Sequence, residues 1–145
     1  MSRAFVKEDG PPPPEAAEQL PDRPAALQPI TAAGYARFEA ELRDAPAASR
    51  RARLLAQILG GVEITATHQR ADGGAGFGCY VDVQNEEGVR ARYELVGPDE
   101  ADAAQGRISI ASPMGRALLG AREGDTLRIH RPKGDLQLRV LRVDR

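Results

Sequence analysis

The apolar residues of this chain change their period along its length. From Thr31 they follow a helical repeat: Tyr35, Phe38 and Leu42 recur at spacings of three and four, which gathers them on one face. Thr31 is placed to cap that helix, and Pro46 ends it near Asp44, because the residue before a proline avoids the helical region. A second short helix is expected from about Ser49 to Leu59, with Leu54, Leu55, Ile58 and Leu59 on its apolar side and Gly60 and Gly61 closing it. Two short helices around a tight turn predict an antiparallel hairpin.

Beyond Gly61 the period drops to two. Residues 62–66 predict a first strand, and the glycine-rich run 72–78 predicts a flexible connector. Cys79, Val81 and Val83 then alternate with Tyr80, Asp82 and Gln84. After a turn at Glu86, Glu87 and Gly88, Val89, Ala91, Tyr93 and Leu95 alternate with Arg90, Arg92 and Glu94. This predicts a β-hairpin with one wet face. Another strand is expected over 107–111. Ser112-Pro113 opens a helix, since serine caps well and proline at the first helical position loses only an unpartnered donor; Met114, Ala117 and Leu118 face inward and Gly120 ends it. Strands over 126–131 and 136–144 flank a turn at Lys133-Gly134-Asp135. In the last strand Leu136, Leu138 and Val140 share one phase and Leu141 and Val143 the other, which predicts a β-bulge or a strand covered on both sides. The fold class is α+β: a short N-terminal antiparallel helical hairpin (30–61), then an antiparallel sheet domain with one inserted helix (62–145).

Composition adds limits. Seven of the 11 prolines fall in residues 1–29, which have few large apolar groups to bury, so this stretch reads as a disordered proline-rich tail. Twenty basic and 21 acidic residues leave a formal charge of −1, which argues against a protein held mainly by DNA phosphates. With aromatics at 4 % and no tryptophan, a broad base-stacking platform is not expected. The single cysteine, Cys79, excludes an intrachain disulfide, and no apolar run is long enough to span a bilayer; a cytoplasmic protein with no membrane partner is expected.

Candidate chemistry is sparse. There is no HExxH, CxxC, GxSxG or phosphate-loop motif. His130 is opposite in phase to Leu127 and Ile129 and reads as a surface residue, while Cys79 reads as a small buried hydrophobe. The glycine run feeds a strand rather than a helix N-terminus, so it reads as a connector and not a phosphate cradle. Glu94, Asp99, Glu100 and Asp102 read as turn and surface carboxylates. No catalytic residue, metal ligand or cofactor is assigned.

Two segments carry a family resemblance. Tyr93 to Asp102 is similar to the segment Y-x-hydrophobic-V-G-x-x-E-A-D of the transcription elongation factors GreA and GreB, and Ile108 to Gly120 resembles their I-S-x-x-S-P-x-x-R-A-L-hydrophobic-G. Gly124-Asp125 and the turn from Pro132 to Gly134 follow at family spacing, and the start, Met1 to Asp9, is similar to GreB sequences. The likeness covers roughly 77–145 well and 30–65 partly.

This resemblance implies an FKBP-like C-terminal domain that docks on the rim of the secondary channel of bacterial RNA polymerase. It also implies a long N-terminal coiled coil whose acidic tip helps hold the polymerase's catalytic Mg²⁺ while backtracked RNA is cleaved. Carried onto this chain, docking falls on Ser112 and Pro113, and with them Met114 and Arg116. GreB sequences often carry an acid just before the Ser-Pro pair, where this chain has Ala111.

The arm departs from the pattern. A helix of about 14 residues extends about 21 Å, less than half the family's arm. From Arg43 to Arg53 four arginines (Arg43, Arg50, Arg51, Arg53) face one acid, Asp44, so the tip repels a divalent cation. The expectation is a monomeric polymerase-binding regulator, not an enzyme, that does not stimulate transcript cleavage and reads no specific nucleic-acid sequence. The alternatives are a prolyl isomerase, suggested by an FKBP-like fold alone, and nucleic-acid binding through Arg50, Arg51 and Arg53.

Overall fold

Three side-chain caps set the helices. In the computed structural model, which describes residues 19–145, the Thr31 hydroxyl accepts the Gly34 N–H at 3.0 Å and opens α1 (Ala32–Asp44). Ala45, ahead of Pro46, turns extended and ends it. Ser49 caps α2 (Arg50–Gly60) through the Ala52 N–H at 3.1 Å. Ser112 caps α3 (Pro113–Leu118) through the Gly115 N–H at 3.0 Å. Between α1 and α2, Ala48 sits at φ 63, a left-handed conformation that costs a non-glycine residue about 1–2 kcal/mol.

Among the described residues, seven strands form two sheets. β1 (Gln28–Ile30) pairs in parallel with β2 (Val62–Ile64). The larger sheet contains β3 (Tyr80–Asn85), β4 (Arg90–Val96), β5 (Arg107–Ser109), β6 (Thr126–Ile129) and β7 (Leu136–Asp144), in the order β5-β4-β3-β7-β6. Its inner face is lined by Cys79, Val81, Val83, Leu95, Leu138 and Val140, and α3 closes it with Leu118. Burying one such side chain fully is worth about 1.5–3 kcal/mol relative to leaving it in water. Where Asp82 and Val83 of β3 meet β7, the register skips Leu141, which is the bulge that the shifted apolar phase predicts. The molecule is thus a mixed α and β protein with a curled five-stranded sheet.

The structure departs from expectation in four places. The large sheet is not wholly antiparallel: β5 runs parallel to β4, because two 3₁₀ turns, Pro98–Glu100 and Ala103–Gln105, carry the chain back along the strand it has just left. The first strand after Gly61 is shorter than 62–66 and pairs with β1, so the divide at 61/62 falls inside a small sheet.

The expected loose tail, 1–29, lies outside the described residues up to residue 18. Its later part is held by polar contacts that hydrophobicity does not register: Arg23 grips Asp99 at 2.6 and 2.8 Å, and Pro21 O accepts from Gln57 at 3.1 Å. The glycine-rich loop is buried rather than a flexible connector. Ala75 exchanges backbone bonds with Gly120 and Ala121 at 2.7 and 2.9 Å, and a Cβ at Gly76 would run into the His68 carbonyl. Glycine is what lets the two backbones approach.

Candidate functional site

The Ser112 corner is built from the inside. The Ser112 hydroxyl accepts from Gly115 and donates to the Ser109 carbonyl at 2.7 Å, so both its roles are used in shaping the turn. Gly115 stands where a Cβ would meet that same carbonyl, which lets α3 lie directly on the end of β5. Of the four expected docking residues, Pro113 and Arg116 are exposed, Ser112 is half-buried and Met114 turns in against the core. Leu119, 38 % exposed, lies three residues beyond Arg116 and extends the outward side of this short helix. The sequence pattern that assigns Leu118 inward leaves Leu119 outward, and this was the signal available for it.

At the helical tip the three expected arginines do not act alike. Arg51 forms a two-pronged ion pair with Glu41, one contact at 2.8 Å, which holds the Glu41 carboxyl below its ordinary range. Glu41 lies just outside the 43–53 window that set the expected tip charge. Arg50 donates to Gln19 O at 3.3 Å and Arg53 to Ala48 O at 2.9 Å. Arg43, Arg50 and Arg53 have no carboxylate within 4.0 Å among the described residues.

The carboxylates at 94–102 include one that is no surface group. Glu100 is 3 % exposed. It accepts from the Thr31 N–H at 2.7 Å, the Thr31 hydroxyl at 2.6 Å and the Gly97 N–H at 3.0 Å, with Arg37 at 3.8 Å. It therefore joins the start of α1 to the sheet domain. The fit is close: a Cβ at Gly34 would collide with its Oε1, and one at Gly97 with the Pro29 carbonyl. Burial pushes the Glu94 carboxyl up, and the charge of Glu100 adds to it.

The remaining candidates are placed as follows. His130 is exposed, 2.9 Å from Asp135. Cys79 is buried, its thiol 3.6 Å from the His68 carbonyl. Tyr80 and Tyr93 lie on opposite faces of the sheet, so they do not line one aromatic pocket. Among the described residues no three His, Cys, Asp or Glu side chains are grouped as a metal site needs, and no helix is long and apolar enough to cross a membrane.

The model of the C-terminal domain of the transcription elongation factors GreA and GreB matches residues 70–145, just over half of the chain. The chain belongs to the GreA/GreB family. GreA of Syntrophobacter fumaroxidans is 42 % identical over 90 residues, 61 % of this chain and 58 % of that protein. GreB of Pseudomonas putida is 40 % identical over 86 residues, 59 % and 53 % of the two chains. This GreA/GreB member thus spans a little over half the length of these relatives. A solved GreA/GreB factor from Nitrosomonas europaea is 25 % identical with a TM-score of 0.46, covering 85 % of this chain and 100 % of its own. The match holds the Ser112 corner and Glu100; the helical pair α1–α2 lies outside it.

Proposed function

We propose that the chain is an RNA polymerase-binding transcription regulator of the Gre type that docks near the secondary channel and does not stimulate transcript cleavage. The observation that carries this reading is a contrast. A family C-terminal domain with an intact Ser-Pro corner stands behind an arm whose first helix has 13 residues, about 20 Å.

Cleavage support of the kind the family resemblance implies needs carboxylates delivered to a distant Mg²⁺. This arm ends in Arg43, Arg50, Arg51 and Arg53 against Asp44 and a Glu41 already held by Arg51, and like charge repels a divalent cation. The names of the relatives, all transcription elongation factors, support a regulator rather than an enzyme. The reading includes an FKBP-like sheet domain, action as a monomer in the cytoplasm, and competition with active Gre factors for one docking surface.

Within this reading the docking residues divide by role. Pro113, Arg116 and Leu119 touch the polymerase, whereas Ser112 and Met114 shape the corner from within. The test is titration of labelled protein with purified core polymerase. Binding at micromolar concentration or tighter is expected, weakened at least tenfold by Pro113→Ala combined with Arg116→Glu while the melting curve stays unchanged. Absence of binding by the folded wild-type protein contradicts the proposal.

A further inference from the structure

The face of the five-stranded sheet turned away from α3 carries arginine where the inner face carries valine and leucine. Strand register places Arg90, Gln84, Arg139 and Thr126 side by side across β4, β3, β7 and β6, and Arg92, Asp82 and Arg142 in the next row. Arg128 lies beside Gln137 in the row on the other side of Arg139. All five arginines are exposed. Neighbouring strands are about 4.8 Å apart and alternate residues of one strand about 6.7 Å, so the guanidinium groups spread over the sheet rather than meeting at a point.

The two carboxylates at the centre of this face are already engaged. Asp82 holds Arg92 at 3.1 Å, and Asp144 holds Arg92 at 3.2 Å and Arg142 at 2.9 Å. Arg92 also lies over the Tyr80 ring at 4.6 Å, which fixes its plane. Arg90, Arg128 and Arg139 have no carboxylate within 4.0 Å among the described residues. At the bulge a groove of about 510 Å³ runs beside Arg90, with Asp82, Ala91 and Arg92 on one side and Leu141 and Arg142 on the other.

We propose that this face binds the phosphate backbone of a nucleic acid without reading its sequence. Charge complementarity selects a polyanion: the apolar groups on this face are Tyr80, covered by Arg92, and the half-buried Leu141 and Ala91 of the groove, which do not form a central cluster of large side chains. Protein interfaces centre on buried aromatic or aliphatic side chains. The large exposed hydrophobics, Leu27, Ile64, Val89 and Leu119, all lie off this part of the sheet. Unpaired guanidinium forks match phosphate oxygens two at a time. The chain's formal charge of −1 does not oppose this: among the described residues the face carries five arginines against three carboxylates, Asp82, Asp144 and Glu94, of which Asp82 and Asp144 are held by Arg92 and Arg142, while Asp99, Glu100 and Asp102 sit at the joint with α1. The site is separate from both the Ser112 corner and the helical tip, and it does not depend on polymerase docking.

The experiment measures fluorescence anisotropy of a short labelled RNA, the matching single-stranded DNA and the DNA duplex with the full chain at rising salt. Binding at low salt is expected, with log affinity falling against log salt by a slope of about −2 to −3 for three phosphate contacts. Arg90→Ala, Arg128→Ala and Arg139→Ala together should flatten that slope by about two or more and weaken low-salt binding at least tenfold. Arg43→Ala, Arg50→Ala and Arg53→Ala together should leave both unchanged. The comparison of the three probes tells RNA from DNA and single strand from duplex. The proposal is overturned if no probe binds at low salt, if the sheet variant with an unchanged melting curve binds like the wild type, or if binding is lost in the tip variant instead. Binding to polyglutamate but to none of the nucleic acids also overturns it.

Discussion

The sheet domain and the helical pair are held together by different physics. In the sheet domain Val81, Leu95, Leu118, Cys79 and Val140 are almost wholly removed from water, and the layer of strands and α3 encloses them. In the pair only Gly34, Ala52, Leu55 and Ile58 are buried, while Tyr35, Phe38 and Leu42 are half exposed. The pair relies on what it is attached to: the β1–β2 ladder, the Arg23–Asp99 bond and the Glu100 carboxylate in the N-terminus of α1. A sheet domain with its own buried core can keep the Ser112 corner whatever happens to an arm fastened only at a joint. The family match follows that division, covering the sheet domain and stopping before the pair.

The largest effects should come from breaking each region at its own support. Leu118→Ala empties a site closed on all sides and should cost about 2–5 kcal/mol of stability in urea unfolding; Leu42→Ala in the half-exposed pair should cost well under half of that. Equal losses would erase the distinction.

Glu100→Ala strands the Thr31 and Gly97 N–H groups and should cost about 2–4 kcal/mol. Hydrogen exchange locates the loss: amides of α1 and β1 should exchange faster while those of β3 and β7 keep their protection. Uniform acceleration across the chain would show that Glu100 belongs to the common core rather than to the joint.

Ser112→Ala removes a helix cap and a bond to Ser109, a loss of about 1 kcal/mol visible as a lowered melting temperature. Docking should weaken only to the extent that the corner shifts, and less than in the Pro113 and Arg116 variant.

The smallest expected effect is electrostatic. A carboxyl whose folded-state pKa is raised, as at Glu94, adds stability in its protonated form; that contribution is complete below the ordinary carboxylate range and is lost as pH rises through the raised value. At neutral pH ionised Glu94 is therefore a burden. Glu94→Gln should raise the melting temperature by about a degree at pH 7, with the gain fading as pH falls through the acid range. A gain that grows in acid would reverse the sign.

Local features were legible in the residues. Thr31, the serine near 49 and Ser112 cap helices where their spacing says they should, β3 and β4 alternate as written, and the phase slip in the last strand is the bulge at Leu141. What escaped reading is contact at a distance. Gln28 pairs with Val62, and Thr31 meets Glu100 across 69 residues; neither leaves a periodic trace. Glu100 sits in a polar run that looks like a turn, and only the burial of its partners makes it structural. The glycine loop misled for a related reason, since glycine serves equally for freedom and for close approach. At the candidate site the helix start was evident, but not that the Ser112 hydroxyl is already spent within it.

The measurement closest to the central claim is transcript cleavage in backtracked elongation complexes, run with this protein alone and together with an active Gre factor. The account predicts no cleavage above the factor-free rate from the protein alone, and slower cleavage when it is added in excess to the active factor. Stimulation by the protein alone would contradict it.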